Sequence, residues 1–388
     1  MNIVCDERIT NKQIAALILI MLITLIIGSY YVHAHLYRTE FGHDEANYIE
    51  MARRWADSGT YSYGSDEPNA FVPPGLPIFL TLCYKIFGFE AKGLAAIRVV
   101  QLFFTVITNF LVYIYGYQLT GKRSVGIIAA ALISINLNIY MYACGFLTEN
   151  IYFLSLMIFA VVFTAAQRQE KLWPHFVSGV LFCICVMIRS AIVVVILFIY
   201  LPMFSRTKAN MVHVFKCAAL FFLGFVIVGI PWWIRNIVVL DELILFCKQN
   251  HVIFHGMASG IESQGFDRPD SVREYLSLFL TILKNDPKST LYWYSFEKFE
   301  ILFMEYSYDM FSVIAAVAKN IVVFLGLPVC VMALFSKRSL PIVINFFAYM
   351  LVVFIGVPSS RYGLQFLFFL SVAAAWVLDT ASRKLFNK

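Results

Sequence analysis

Six ionisable residues stand out in a chain that is 60% hydrophobic and 14% charged: the adjacent acids Asp44 and Glu45, a third acid Glu149, and the guanidinium groups of Arg189, Arg235 and Arg361. Each borders an apolar run, where an ionised group is expensive and needs a partner or a purpose. Two carboxylate regions and several guanidiniums suit one chemistry in particular. A carboxylate takes the proton of a hydroxyl nucleophile while cations neutralise a departing phosphate. Each residue also has a plainer role open to it. Asp44 can serve as the acid of a helix first turn, and Glu149, in GFLTEN, can cap the apolar segment it opens. Arg189 can bond a carbonyl at a helix end. Arg235, in PWWIRN, and Arg361, beside Tyr362, can anchor a membrane interface. What favours chemistry is that topology gathers all of them on one face.

That topology begins with composition. A chain of 388 residues with so little polar surface reads as an all-α integral membrane protein, a single polytopic domain over 1–388. Its net charge of +6 does not point to nucleic acid, because Lys and Arg fall singly or in pairs at the ends of apolar runs. The eight cysteines lie mostly inside such runs and behave as small hydrophobes, not as a disulfide framework. Arg8 and Lys12 precede a long apolar run from Ala15 to Tyr31 with no A-x-A site after it, which reads as an uncleaved anchor.

Runs long enough to cross a bilayer lie near 15–31, 98–119, 125–143, 150–167, 215–234, 311–335, 340–357 and 362–379. The run 174–204 is too long for one crossing and is interrupted by Arg189, so it reads as two short tilted helices with the arginine at their hairpin. Basic clusters at Lys122/Arg123, Arg168/Lys171, Arg206/Lys208/Lys216, Lys337/Arg338 and Arg383/Lys384 mark the cytoplasmic side. All of them stay inside only if Phe71–Phe87 is a broken or shallow helix on the outer side. Pro73, Pro74 and Pro77 suit such an abrupt start. The expectation is about ten crossings. The outer face then comprises the first loop 32–97 with the catalytic acids, the turn near 144–149, Arg189, a second large segment at 235–310, and the turn 358–361.

Within the first loop, Tyr48, Ile49, Ala52, Trp55 and Ala56 recur on one stripe from Asp44, which predicts an amphipathic helix over 45–57. Lying just after a span, it is expected in the interface with Trp55 towards the acyl boundary. Segments 271–283 and 291–303 read as further interfacial helices, a cover over lipid or acceptor. His251 and His255 share a helical face but have no third ligand nearby, so no metal site is assigned. No internal repeat is visible, which disfavours an inverted-repeat transporter.

Several motifs occur in order along nearly the whole chain: DE-x-x-Y at Asp44, PPGLP opening a run that ends in IFG, a span led by Arg98, then LTEN, MIRS, PWWIRN and SSRYGLQFLF. Together they resemble the C-type polytopic glycosyltransferases, which include the protein O-mannosyltransferases and the lipid A aminoarabinose transferases. The resemblance implies a multi-span plasma-membrane enzyme with an extracytoplasmic site and a polyprenyl-phosphate sugar as donor. By position, Asp44 matches the family's catalytic acid, Glu45 the acid beside it, Glu149 a second acid, and Arg189 a basic residue that meets the lipid phosphate, with Arg235 and Arg361 as further candidates for that phosphate. No cofactor is called for, and a divalent cation is left open. Phe71 and Val72 stand where some aminoarabinose transferases carry a Glu, so a metal site like theirs does not carry over. A single base suffices when the leaving group is a stabilised phosphate, and inversion is expected. The acceptor is a lipid, a wall glycan or a protein. The competing readings are a polyprenyl-linked lipid or glycan flippase, and a polymerase or ligase that uses diphosphate-linked donors.

Overall fold

The computed structural model describes residues 9–206, 211–249, 251–261, 265–269, 271–304, 312–337 and 339–386, which form helices and turns with no strand among them. Lys208 and Arg338, expected among the basic flanks, lie outside the described residues.

The first helix, α1 (Asn11–His35), opens on a reciprocal cap: the Thr10 hydroxyl accepts from the Gln13 amide at 3.2 Å, and the Gln13 side chain accepts from the Thr10 amide at 3.0 Å. Next come α2 (His43–Ser58), α3 (Gly75–Phe87) and the long α4 (Ala91–Thr120). An apolar stretch bent by 63° forms α5 (Arg123–Ser134) and α6 (Asn138–Cys144), followed by α7 (Thr148–Ala166) and α8 (Trp173–Ile188). After Arg189 the chain tightens into a 3-10 turn at Ser190–Leu197, then forms α9 (Leu201–Arg206) and α10 (Met211–Leu240). The segment between α10 and the next long helix holds α11 (His251–His255), α12 (Val272–Asn285), α13 (Pro287–Tyr292) and α14 (Lys298–Phe303), and α15 (Ser312–Leu334), α16 (Leu340–Ile355) and α17 (Ser360–Phe386) follow.

Among the described residues, six helices (α1, α4, α7, α10, α15 and α17) are long and apolar enough to cross a membrane, or seven if the bent α5–α6 pair is one span. The sequence suggests about ten crossings. The difference lies in α8, the stretch 190–204 and α16, which are apolar but shorter than the roughly 20 residues that a full helical crossing takes.

Close helix contacts rest on small residues. A Cβ on Gly179 of α8 would lie 1.8 Å from the Phe221 carbonyl oxygen, and one on Gly224 of α10 would lie 2.2 Å from that of Phe176. Between apolar helices in lipid, association comes from such backbone approach and packing, because hydrophobic transfer contributes little there. A similar seat joins α14 to α17: a Cβ on Gly363 would meet the Leu302 carbonyl oxygen at 1.9 Å. Beside it, buried Lys298 donates to the carbonyls of Phe354 and Gly356, so the end of α16 and the start of α17 are held from the same side.

The amphipathic helix after the first span is present as α2, but its apolar stripe does not face the acyl boundary. Tyr48, Ile49, Met51 and Ala52 are buried, and the Thr81 hydroxyl of α3 donates to the Ala52 carbonyl at 3.4 Å. Trp55 stands edge-on to Tyr61 at 5.0 Å, and Tyr61 edge-on to Trp232 at 4.9 Å. An aromatic file inside the protein gives Trp55 specific ring contacts that an interface would not.

Substituting Gly179 with Ala should drive a methyl group into the Phe221 carbonyl and force α8 and α10 apart, at a cost of about 1–3 kcal/mol. Thermal unfolding of the purified protein in detergent should show a clear fall in midpoint. An unchanged midpoint would mean that the two helices do not meet at these glycines.

Candidate active site

The site is assembled where α2, α7, α8 and α17 begin or end. Its geometry starts from Arg98 in the second turn of α4, a fully buried guanidinium that donates to the carbonyls of Leu36 and Arg38 at 2.7 Å each and of Cys144 at 3.0 Å. One turn away, the Gln101 amide donates to the carbonyls of Ala143 and Gly145 at 3.1 and 2.9 Å. A buried charge in an apolar bundle needs such partners. Meeting that need fixes both the exit of α1 and the turn that leads into α7.

Glu45 makes the next connection. Its Oε1 accepts from the Arg38 guanidinium at 2.6 Å and from the Phe146 amide at 3.1 Å, and its Oε2 accepts from the Gly42 amide at 3.1 Å. Both oxygens are engaged and only 8% of the side chain is exposed, so Glu45 ties the start of α2 to the turn before α7 instead of facing a substrate. That departs from its expected place beside Asp44 at the chemistry. In a helix first turn, neighbours point about 100° apart, so adjacent acids serve different sides.

Asp44 points to the other side. Its Oδ1 accepts from the Tyr63 hydroxyl at 3.1 Å, and its Oδ2 accepts from Arg361 Nη2 at 3.0 Å, while the side chain stays 42% exposed. Burial, with the Asp44 charge beside it, pushes the Tyr63 hydroxyl well above its usual range, so it remains a donor. The loop that presents Tyr63 is stitched from within, as Asn69 Oδ1 accepts from the amides of Tyr63 and Phe71 at 3.2 Å each. Arg235 braces it from α10 through the carbonyls of Tyr61 and Asn69 at 2.9 Å each, and lies over the Tyr61 ring at 5.0 Å. Arg235 therefore joins the loop backbone and not the acids, unlike its expected place at a phosphate.

Glu149, at the start of α7, is completely buried, and its Oε1 is ion-paired with the Arg189 guanidinium. Arg189 also donates to the Thr148 hydroxyl at 3.0 Å and to Gln365 Oε1 at 3.3 Å, between the rings of Tyr152 at 5.5 Å and Tyr362 at 5.0 Å. Its backbone is extended (φ −140°, ψ 106°) at the break after α8, which turns the side chain into the bundle. Arg361 completes the group, with Nε 3.8 Å from Glu149 Oε1 and its guanidinium 5.0 Å from the Tyr362 ring.

Asp44, Glu149, Arg189 and Arg361 thus form one charge cluster, as their types suggest, whereas Glu45 and Arg235 hold its surroundings. The sequence did not single out Tyr63, Arg38, Gln101, Tyr362 or Gln365 for the site. Gln365 follows Arg361 by one helical turn, a spacing that could have flagged it. Tyr63 sits in an irregular loop with no periodicity to read. Among the described residues, no three His, Cys, Asp or Glu side chains come together to hold a metal ion. The Asp44–Glu149 pair fits a metal poorly, because Arg361 already stands between the two acids.

Tyr152, under Arg189, shares a 2.7 Å hydroxyl contact with Tyr349, and Tyr349 lines a cavity of about 400 Å³. Leu156, Phe159, Phe163, Ile192, Phe346 and Phe369 are among its mostly apolar walls. A charged cluster near one end of a greasy cavity can hold an amphiphile with an anionic head and a hydrocarbon tail.

Comparison with known proteins agrees with this architecture. Residues 71–234 match the model of the dolichyl-phosphate-mannose-protein mannosyltransferase family, a region that holds Glu149 and Arg189 but not Asp44 or Arg361. No curated protein sequence matches. The fold is similar to that of the Archaeoglobus fulgidus oligosaccharyltransferase tethered to an acceptor peptide, with 14% identity, a TM-score of 0.57, and coverage of 96% of this chain and 50% of that one. The same oligosaccharyltransferase in complex with Zn and sulfate gives 14% identity, a TM-score of 0.58 and coverage of 94% and 49%. ArnT from Cupriavidus metallidurans bound to undecaprenyl phosphate gives 13% identity, a TM-score of 0.52 and coverage of 93% and 60%. The chain therefore spans about half the length of the oligosaccharyltransferase. The resemblance to C-type polytopic glycosyltransferases read from the motifs holds in both the family match and the fold.

The two adjacent acids should separate cleanly in stability. Glu45→Ala leaves the Phe146 and Gly42 amides and Arg38 without their acceptor and should cost about 1–3 kcal/mol, lowering the unfolding midpoint. Asp44→Asn keeps the shape and one acceptor oxygen at a part-exposed position and should leave the midpoint nearly unchanged. Equal losses would contradict the division of roles.

Proposed function

We propose that the chain is a membrane glycosyltransferase that moves a sugar from a polyprenyl-phosphate-linked donor to an acceptor hydroxyl, with inversion, at the extracytoplasmic face of the plasma membrane. The observation that carries the reading is Asp44: a part-exposed carboxylate held by Tyr63 and Arg361, beside the Arg189–Glu149 pair and near an apolar cavity. The family match over residues 71–234 and the fold shared with an ArnT that binds undecaprenyl phosphate support the same chemistry.

In this mechanism the lipid tail lies along the apolar cavity and the phosphate meets Arg189 and Arg361. Asp44 takes the proton of the acceptor hydroxyl as its oxygen attacks the anomeric carbon. The bond from that carbon to the phosphate oxygen breaks, and its electron pair stays on the phosphate, which leaves as polyprenyl phosphate. Attack from the face opposite the leaving group inverts the centre.

The charges balance. Two acids and two arginines make the free cluster neutral, and the donor diester brings one negative charge. As the leaving phosphate gains a second negative charge, Asp44 loses its own by accepting the proton, so the total does not change. The guanidiniums stabilise that charge where it develops, and no second acid is needed to protonate the leaving group. Glu149 acts through Arg189 as a positioning residue: its buried carboxylate holds the guanidinium in place between the rings of Tyr152 and Tyr362. The acceptor is a lipid, a wall glycan or a protein with a free hydroxyl.

The test is turnover of a radiolabelled panel of polyprenyl-phosphate sugars by the purified protein in lipid. Asp44→Asn should slow transfer by about 10²–10⁴-fold, the usual worth of a general base, with donor binding retained. Arg189→Ala should weaken both donor binding and turnover. If neither wild type nor variant cleaves any donor while lipid crosses between leaflets, a flippase replaces the transferase.

A further inference from the structure

A divalent cation is a common solution to two acids that face one phosphate. Here the place between the two acids is filled by a side chain. Arg361 Nη2 donates to Asp44 Oδ2 at 3.0 Å, and Arg361 Nε lies 3.8 Å from Glu149 Oε1, so one guanidinium spans both carboxylates. The group is held there from behind. Arg361 Nη2 also donates to the Tyr362 hydroxyl at 3.2 Å, and the guanidinium lies 5.0 Å from the Tyr362 ring. Two residues on, Gly363 is pressed against the Leu302 carbonyl, so the first turn of α17 has little room to retreat.

We propose that Arg361 is the resident cation of the Asp44–Glu149 pair: it supplies the positive charge that a divalent metal would supply between these acids and, by occupying the space, keeps the pair from taking one. The inference deepens the transferase reading and rests on it for its consequence, which is turnover independent of divalent metal. The physical grounds are charge and permanence. With Arg189 on Glu149 and Arg361 on both acids, the cluster is already neutral, and a further divalent ion would sit against two guanidiniums in a poorly screened site. A guanidinium keeps its charge at any working pH and cannot be removed by a chelator.

The same geometry says what removal of Arg361 exposes. Asp44 is part-exposed, and Glu149 Oε2 has no protein donor. Without the guanidinium, the two carboxylates face the gap it leaves, which reaches water on the part-exposed Asp44 side, and this is the donor set of a weak site for a hard divalent ion completed by waters. Loss of one charge should therefore create a metal site where the native protein has none.

The experiment is Mn²⁺ binding to the purified full-length protein in lipid, followed by the loss of free-ion electron paramagnetic resonance signal, with chelator sensitivity of turnover measured in parallel. Wild type and Arg361→Lys, which keeps a single charge, should bind no Mn²⁺ at this pair. Arg361→Ala should bind one Mn²⁺ at millimolar concentration, about tenfold or more tighter than any wild-type background, and Glu149→Gln added to it should abolish that binding. Wild-type turnover should be the same with and without chelator. A wild-type site lost in Asp44→Asn and Glu149→Gln, an Arg361→Ala protein that gains no site, or wild-type turnover that a chelator stops and Mn²⁺ restores would each overturn the assignment. Because Mn²⁺ binding is read without any donor, failure of the transferase reading and failure of this one are told apart.

Discussion

A charge placed among membrane-spanning helices has almost nowhere to go, and the fold is organised by that constraint. Arg98 is the clearest case. Fully buried, it is satisfied only by drawing the carbonyls of Leu36, Arg38 and Cys144 to one point, which brings the end of the first span against the turn before α7. The need of one guanidinium thereby sets the distance between two segments more than 100 residues apart. Glu45 then closes the same junction through Arg38 and the Phe146 amide. Asp44, its neighbour in sequence, is carried to the edge of the cluster built on Glu149.

The cluster shows how acids and bases can be kept ready in apolar surroundings without large imbalance. Glu149 is buried and paired, Arg189 is wedged between Tyr152 and Tyr362, and Arg361 reaches from α17 to α2. Removing either partner of such a buried pair leaves the other uncompensated, so its members depend on one another for stability. Asp44 differs because it stays part-exposed. The buried carboxylate of Glu149 holds the Arg189 guanidinium, while that of Asp44 meets Tyr63 and Arg361 at the edge of the cluster.

Around the cluster, aromatic rings and backbone carbonyls take over where charges end. Tyr61, Trp55 and Trp232 form one file, and Arg235 lies over it while bonding the loop that carries Tyr63. On the far side, the Tyr152–Tyr349 contact separates the charged group from the apolar cavity. The order from guanidinium to phenol to hydrocarbon is a gradient of polarity across the site.

Much of this was legible beforehand. Long apolar runs reveal helices because a 30 Å apolar layer demands about 20 residues of them, and the amphipathic stripe of α2, the break at Arg189 and the start of a short helix within PPGLP follow from periodicity and proline. The clustering of Asp44, Glu149, Arg189 and Arg361 was legible too, because charges are scarce in such a chain and topology puts these on one side. What could not be read was which of the scarce charges meet. Glu45 and Asp44 are adjacent in sequence yet serve opposite faces, and Arg235 and Arg361 both lie near helix ends yet only Arg361 of the two reaches the acids. Composition and periodicity fix which residues lie at the ends of helices, because the bilayer imposes one dimension on the chain. Lateral packing imposes the other two, through contacts such as Gly363 on Leu302 that no pattern within a single segment records.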